Sequence, residues 1–113
     1  MSFRVLFFGT PAIAANCLQA LLDSQINVIG VVTKPDKAVG RKQVITESEV
    51  KKLATERHIP VLQPIKVSGA AQAITELKPD LIITCAYGQI IPESILIIPK
   101  FHCVNVHTSL LPR

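Results

Sequence analysis

The sequence predicts an α/β fold with a doubly wound, mostly parallel sheet. Three observations carry this expectation. Runs such as Val28–Val32 and Leu81–Ala86 are apolar at nearly every position, as strands covered on both faces require. Between such runs lie segments whose apolar residues recur every three or four positions, the period of a helix with one buried face. The strands are thus joined by helical segments rather than by two-residue turns, which makes neighbouring strands parallel and their crossovers right-handed.

Each element follows from local chemistry. Phe3 to Phe8 (FRVLFF) is the first strand. Gly9-Thr10-Pro11 ends it, with Thr10 as the expected helix cap. Pro11 then takes the first helical position, where no backbone N–H is needed. Ala14, Cys17, Leu18, Leu21 and Leu22 share one face of a helix over Pro11 to Ser24, and Val28 to Val32 is the second strand. Lys34 to Ile45 reads as an irregular, mobile, basic stretch broken by Pro35-Asp36 and Gly40. Thr46 and Glu49 have the spacing of a capping box. The helix it opens runs through Val50, Leu53 and Ala54 to near His58, before Pro60.

Val61-Leu62 is a minimal strand. Ala70, Ala73, Ile74 and Leu77 form the face of a third helix, closed by Pro79. Leu81 to Ala86 is the next strand, ended by Tyr87-Gly88. Pro92 to Ile98 is a short helical piece, and Cys103 to Val106 is the last strand. His107 to Pro112 leave its carboxyl end.

Composition narrows the function classes. The 113 residues are 49% hydrophobic and 18% charged, which suits one buried core and excludes a disordered tail. No apolar run reaches the roughly 18 residues that span a bilayer. The start Met1-Ser2-Phe3-Arg4 enters a strand without a signal-peptide pattern. A cytoplasmic protein with no membrane partner is expected. Cys17, Cys85 and Cys103 form no CxxC pair, and the three histidines have no HxH or HxxxH spacing. Buried, reduced thiols and no metal are therefore expected.

The formal net charge is +4. Its excess gathers at Lys34, Lys37, Arg41 and Lys42, opposed locally by Asp36 alone. Such a stretch suits an anionic partner, nucleic acid or a phosphate-bearing ligand, with a plain solvated loop as the alternative.

Ligands of open parallel sheets sit beyond the carboxyl ends of the strands. That rule selects Gly9-Thr10-Pro11, Thr33-Lys34, Tyr87-Gly88 and Asn105 to Pro112. The first turn lacks the G-x-G-x-x-G dinucleotide pattern, because Pro11 and Ala14 stand where glycines belong. Asn105 and His107 lie two apart on a strand, so their side chains share a face. A carboxamide beside an imidazole can donate to an oxygen that turns negative when a carbonyl is attacked, and the imidazole can move protons. Ser109 near His107 completes no Ser-His-Asp arrangement.

Four segments carry a resemblance: FFGTPAIAA at Phe7–Ala15, KPDKAVGRK at Lys34–Lys42, CAYGQIIP at Cys85–Pro92 and NVHTSLLPR at Asn105–Arg113. Together they resemble the methionyl-tRNA formyltransferase family. The N-x-H-x-S-L-L-P pattern is shared with other folate-dependent formyltransferases, including the one acting on glycinamide ribonucleotide. The FGTP turn with the basic loop points to the member acting on tRNA.

The resemblance implies a Rossmann-like formyltransferase fold, incomplete here, and transfer of a formyl group from 10-formyltetrahydrofolate to the α-amine of methionyl initiator tRNA, without a metal. Asn105 and His107 would be catalytic. Tyr87, Gly88, Gln89, Ile90 and Ile91 would line the pterin pocket, and Ser109, Leu110, Leu111 and Pro112 would bind folate. Lys34, Lys37, Arg41 and Lys42 would approach the tRNA acceptor end.

The family's third catalytic residue, an Asp, lies beyond the matched positions. Residues 1–113 are thus expected to be the amino-terminal part of a catalytic domain, inactive alone. Two alternatives stand beside this reading. One is a formyltransferase for a nucleotide or nucleotide sugar; the other is a non-catalytic RNA-binding α/β module with no folate affinity.

Overall fold

Leu6 and Phe8 point to one face of the first strand and Phe7 to the other, and none of the three is exposed to solvent. A strand apolar on both faces needs cover on both. The computed structural model, which describes residues 3–106, shows how the chain supplies it. The elements run β1 (Val5–Gly9), α1 (Ala12–Asp23), β2 (Val28–Val32), β3 (Lys37–Val39), β4 (Val44–Thr46), α2 (Glu49–Glu56), β5 (Val61–Leu62), a 3-10 turn (Val67–Ala70), α3 (Ala71–Leu77), β6 (Leu81–Cys85), α4 (Glu93–Leu96) and β7 (Cys103–Asn105).

Five strands form one parallel sheet in the order β5-β2-β1-β6-β7. The chain starts at the centre, moves outward through β2 and β5, then crosses back to lay β6 and β7 on the other side of β1. Helices α1 and α2 cover one face, where Ala14, Leu18, Val50 and Ala54 pack on Phe7, Val31 and Cys85. The 3-10 turn, α3 and α4 cover the other, where Val67, Ile74 and Ile95 pack on Leu6, Phe8, Val32 and Ile82. This is the doubly wound α/β architecture the sequence predicts. Its order reverses between β1 and β6, so the chain leaving those two paired strands goes to opposite faces, α1 to one and α4 to the other, the arrangement that opens a crevice beyond their carboxyl ends.

Gly9 closes β1 because nothing larger fits. A Cβ there would lie 2.6 Å from Ala14 Cβ and 2.8 Å from the Cys85 carbonyl oxygen. The glycine lets α1 start directly against the sheet.

Three local expectations are corrected. Pro11 precedes α1 rather than opening it, and the Thr10 hydroxyl donates to the Tyr87 carbonyl at 2.8 Å instead of capping the helix. Pro11 holds the cap position, and the Thr10 hydroxyl is turned toward a carbonyl 77 positions away in sequence. Lys34 to Ile45 is not irregular throughout: β3 and β4 pair antiparallel, with Lys37 opposite Thr46 and Val39 opposite Val44. Because Thr46 is held in that ladder, the chain stays extended for two further residues. Ser48, not Thr46, then caps α2, its hydroxyl accepting from the Lys51 N–H at 3.0 Å.

Candidate functional site

Thr10, at the end of β1, ties together the loops that follow β2 and β6. Its hydroxyl oxygen accepts from the Lys34 N–H at 3.4 Å while its proton goes to the Tyr87 carbonyl. Beside this knot opens a cleft of about 660 Å³, walled by Thr10, Pro11, Lys34–Lys37, Thr46–Ser48, Ile65 and Ala86–Gly88. It lies at the carboxyl end of the sheet, where the strand order reverses.

The β6 exit loop has unusual backbone. Ala86 lies at φ 50° and Gly88 at φ 101°. The Lys34 side chain crosses directly over Gly88, and a Cβ at Gly88 would lie 2.4 Å from Lys34 Cε. Only glycine accommodates both the positive φ and that crossing. Lys34 and Lys37 both lie on the cleft wall, Lys37 at the start of the β3–β4 hairpin, whereas Arg41 and Lys42 are exposed in the turn of that hairpin.

The predicted pterin-lining residues divide by role. The Tyr87 ring belongs to the core, meeting Phe8 edge-on with centroids 5.2 Å apart. Burial raises its phenol pKa, and its hydroxyl is buried without a hydrogen-bond partner among the described residues. The Gln89 carboxamide donates to the Ile65 carbonyl at 3.1 Å and accepts from the Val67 N–H at 3.0 Å, fastening the loop to the segment after β5. Ile90 is 94% exposed, and Ile91 packs partly on the core. Among the described residues, the backbone groups of Gly88 to Ile91 make no hydrogen bond.

Asn105 ends β7 directly opposite Thr84 of β6. The Thr84 hydroxyl donates to Asn105 Oδ1 at 2.8 Å. Thr84 is buried and Asn105 exposed, so the amide is held from below, and among the described residues its N–H groups have no partner. His107, Ser109, Leu110, Leu111 and Pro112 lie outside the described residues.

Asp36 corrects the picture of a mobile loop. Its carboxylate accepts from Lys51 Nζ at 2.9 and 3.1 Å and from Gln63 Nε2 at 2.8 Å. The hydrogen bond from Lys51 is the main cause holding this carboxyl below its usual pKa. The same bond, seen from the other side, raises the Lys51 pKa.

The thiols are poor nucleophiles. Burial raises the pKa of Cys17 and Cys103 and pushes Cys85 up to about 11, so all three stay protonated near neutrality. No group of three His, Cys, Asp or Glu side chains could hold a metal ion among the described residues. No described helix is long and apolar enough to cross a membrane.

Thr84, Lys51 and Gln63 had no signal in the sequence motifs. Each acts on a partner 15 to 27 positions away, and only strand register and helix placement bring the pairs together.

Comparison with known proteins fits this architecture. A family model described as formyl transferase matches residues 1–113. The methionyl-tRNA formyltransferase of Malacoplasma penetrans is 49% identical over 110 residues, covering 97% of this chain and 35% of the relative. Those of Lactiplantibacillus plantarum (51% over 111 residues, 96% and 35%) and Clostridioides difficile (48% over 112 residues, 97% and 36%) are similarly related. The chain thus spans about a third of the length of the curated relatives it matches. With the match running from Met1 to Arg113 over a doubly wound sheet, the chain belongs to the formyl transferase family.

Proposed function

We propose that this chain forms the amino-terminal part of the catalytic domain of an enzyme that moves a formyl group from 10-formyltetrahydrofolate to the α-amine of methionyl initiator tRNA, in the cytoplasm. The observation that carries the reading is the Asn105 carboxamide. Its oxygen is engaged by Thr84, and among the described residues its N–H groups have no partner, at the carboxyl end of a parallel strand.

The pterin of the formyl donor is a planar heterocycle with donors and acceptors along one edge. The backbone of Gly88 to Ile91, without a hydrogen-bond partner among the described residues, suits such an edge, and the exposed Ile90 offers an apolar contact. In the reaction, the amine nitrogen attacks the formyl carbon and the carbonyl oxygen becomes negative. Asn105 donates to that oxygen, and His107, two positions on in the sequence, supplies the second polar group in this reading. The bond from the formyl carbon to the folate nitrogen then breaks. The amine proton passes to the departing nitrogen, giving tetrahydrofolate and formylmethionyl-tRNA. Ser109, Leu110, Leu111 and Pro112 complete the folate site in this reading, and Lys34, Lys37, Arg41 and Lys42 meet the tRNA.

The hairpin cations and the relatives' names favour tRNA over a nucleotide or nucleotide sugar as acceptor. Titration of the chain with a folate analogue tests the donor site. At 100 times the dissociation constant, binding raises stability by about 2.7 kcal/mol. No stabilisation, together with binding of acceptor-stem RNA, would instead identify a non-catalytic RNA-binding module.

A further inference from the structure

The hairpin that carries Lys37, Arg41 and Lys42 has little of its own to hold it. Among the described residues, strands β3 and β4 pair only with each other. Lys37, Ala38, Val44 and Ile45 are all exposed, with Val44 58% and Ile45 66% open to solvent. Its orientation is therefore set at its two ends rather than by core packing. Asp36 stands immediately before β3 and Glu47 immediately after β4. Lys51 of α2 reaches both, at 2.9 Å from the Asp36 carboxylate and 3.4 Å from that of Glu47. Gln63, just past β5, donates from one nitrogen to Asp36 at 2.8 Å and to the Lys34 carbonyl at 3.2 Å. Ser48 adds a further tie at the trailing end, its hydroxyl 2.7 Å from that of Thr33.

We propose that Asp36, Lys51 and Gln63 are positioning residues that clamp the base of the basic hairpin and so aim its cations at an RNA strand entering the cleft. The RNA part rests on the function proposed above; the clamp does not. The charge arithmetic separates positioning from simple electrostatics. Asp36 is the one acidic residue among the cations of this stretch. Neutralising it removes repulsion and frees Lys51, so a merely electrostatic Asp36 would, once neutralised, give tighter binding of an anion. A clamp predicts the opposite sign, because a loosened hairpin spends only part of its time in the binding orientation.

The test uses Asp36→Asn, Lys51→Met and the charge-exchanged double variant Asp36→Lys with Lys51→Asp, in the full chain. The first readout is the rate of trypsin cleavage after Lys37, Arg41 and Lys42. The second is affinity for an acceptor-stem RNA hairpin as a function of salt. Asp36→Asn is expected to speed hairpin cleavage and weaken RNA binding about threefold or more, as when the competent fraction falls to a third. The salt slope should stay unchanged, since every hairpin cation remains. The exchanged pair should recover slow cleavage. A partly exposed pair contributes little to global stability, so these variants keep the wild-type melting transition. Unchanged cleavage in both single variants would overturn the clamp, as would tighter RNA binding by Asp36→Asn. Faster cleavage with no RNA binding by the wild-type chain would uphold the clamp and overturn the RNA reading.

Discussion

The Thr84 hydroxyl donates to the Asn105 carboxamide oxygen across 2.8 Å, from one parallel strand to the next. An amide has one acceptor oxygen and two N–H donors. With the oxygen held by a buried neighbour, the donors are what Asn105 presents beyond the sheet. A carboxamide oriented by a bond to its oxygen, with its N–H groups turned outward, matches an oxygen that gains negative charge.

Asn105→Ala therefore lowers turnover far more than folate affinity. The expected loss is roughly 10²–10³ in kcat, the usual effect of deleting one donor to an oxyanion. The measurement is formyl transfer to methionyl-tRNA by a protein of the relatives' full length that begins with this sequence. Wild-type turnover would remove Asn105 from the mechanism.

Arg41→Ala and Lys42→Ala act on RNA through charge, unlike the clamp variants. For each phosphate left without its cation, the slope of log affinity against log salt should become shallower by about 0.7–0.9. Titrations at several salt concentrations measure it. Slopes equal to wild type would make the turn of the hairpin a solvated surface.

Gly88→Ala strains the cleft wall. The residue sits at φ 101°, and its new methyl group would meet Lys34 Cε at 2.4 Å. A non-glycine residue forced into such backbone costs about 1–3 kcal/mol. Urea unfolding should show that loss, and folate-analogue affinity should fall because the loop must shift. Removing the obstructing side chain with Lys34→Ala should restore part of the stability, leaving only the cost of the positive φ.

The thiols give the chain an alkaline limit. Cys85 titrates at about 11 in the folded protein against an ordinary value of 9.0, with burial the main cause. Cys17 and Cys103 shift the same way. A raised folded pKa means the unfolded state loses its proton first. The contribution is thus fully present below about pH 9 and fades as pH climbs toward about 11. Urea midpoints should be flat from about pH 7 to 8.5 in this respect and fall above about pH 9, and Cys85→Ala should lessen the fall. Slow alkylation of Cys85 in native buffer at about pH 8, and rapid alkylation in denaturant, check the same burial.

The fold class was legible because it depends on sequence-local quantities. Apolar runs such as Val28–Val32, helical spacing at Ala14 and Leu18, and glycine or proline at boundaries such as Gly9-Thr10-Pro11 and Pro79 define strand and helix by short-range sterics and burial. The positions of Asn105, Tyr87-Gly88 and Lys34 at or just past carboxyl ends of strands followed from the same pattern. Pairing of distant polar groups was not legible. Thr10 has the chemistry of a cap, but Tyr87 claims its hydroxyl, and Thr46 has the spacing of a cap, but Lys37 holds it in a ladder. Asp36 sits in a stretch that reads as mobile, yet α2 and the exit of β5 bring Lys51 to 2.9 Å and Gln63 to 2.8 Å from its carboxylate. A hydroxyl or carboxylate has several partners of comparable strength, and its choice depends on which one the packed sheet and helices place at bonding distance. Burial pattern is written residue by residue in the sequence; hydrogen-bond choice is settled only after the strands are in register.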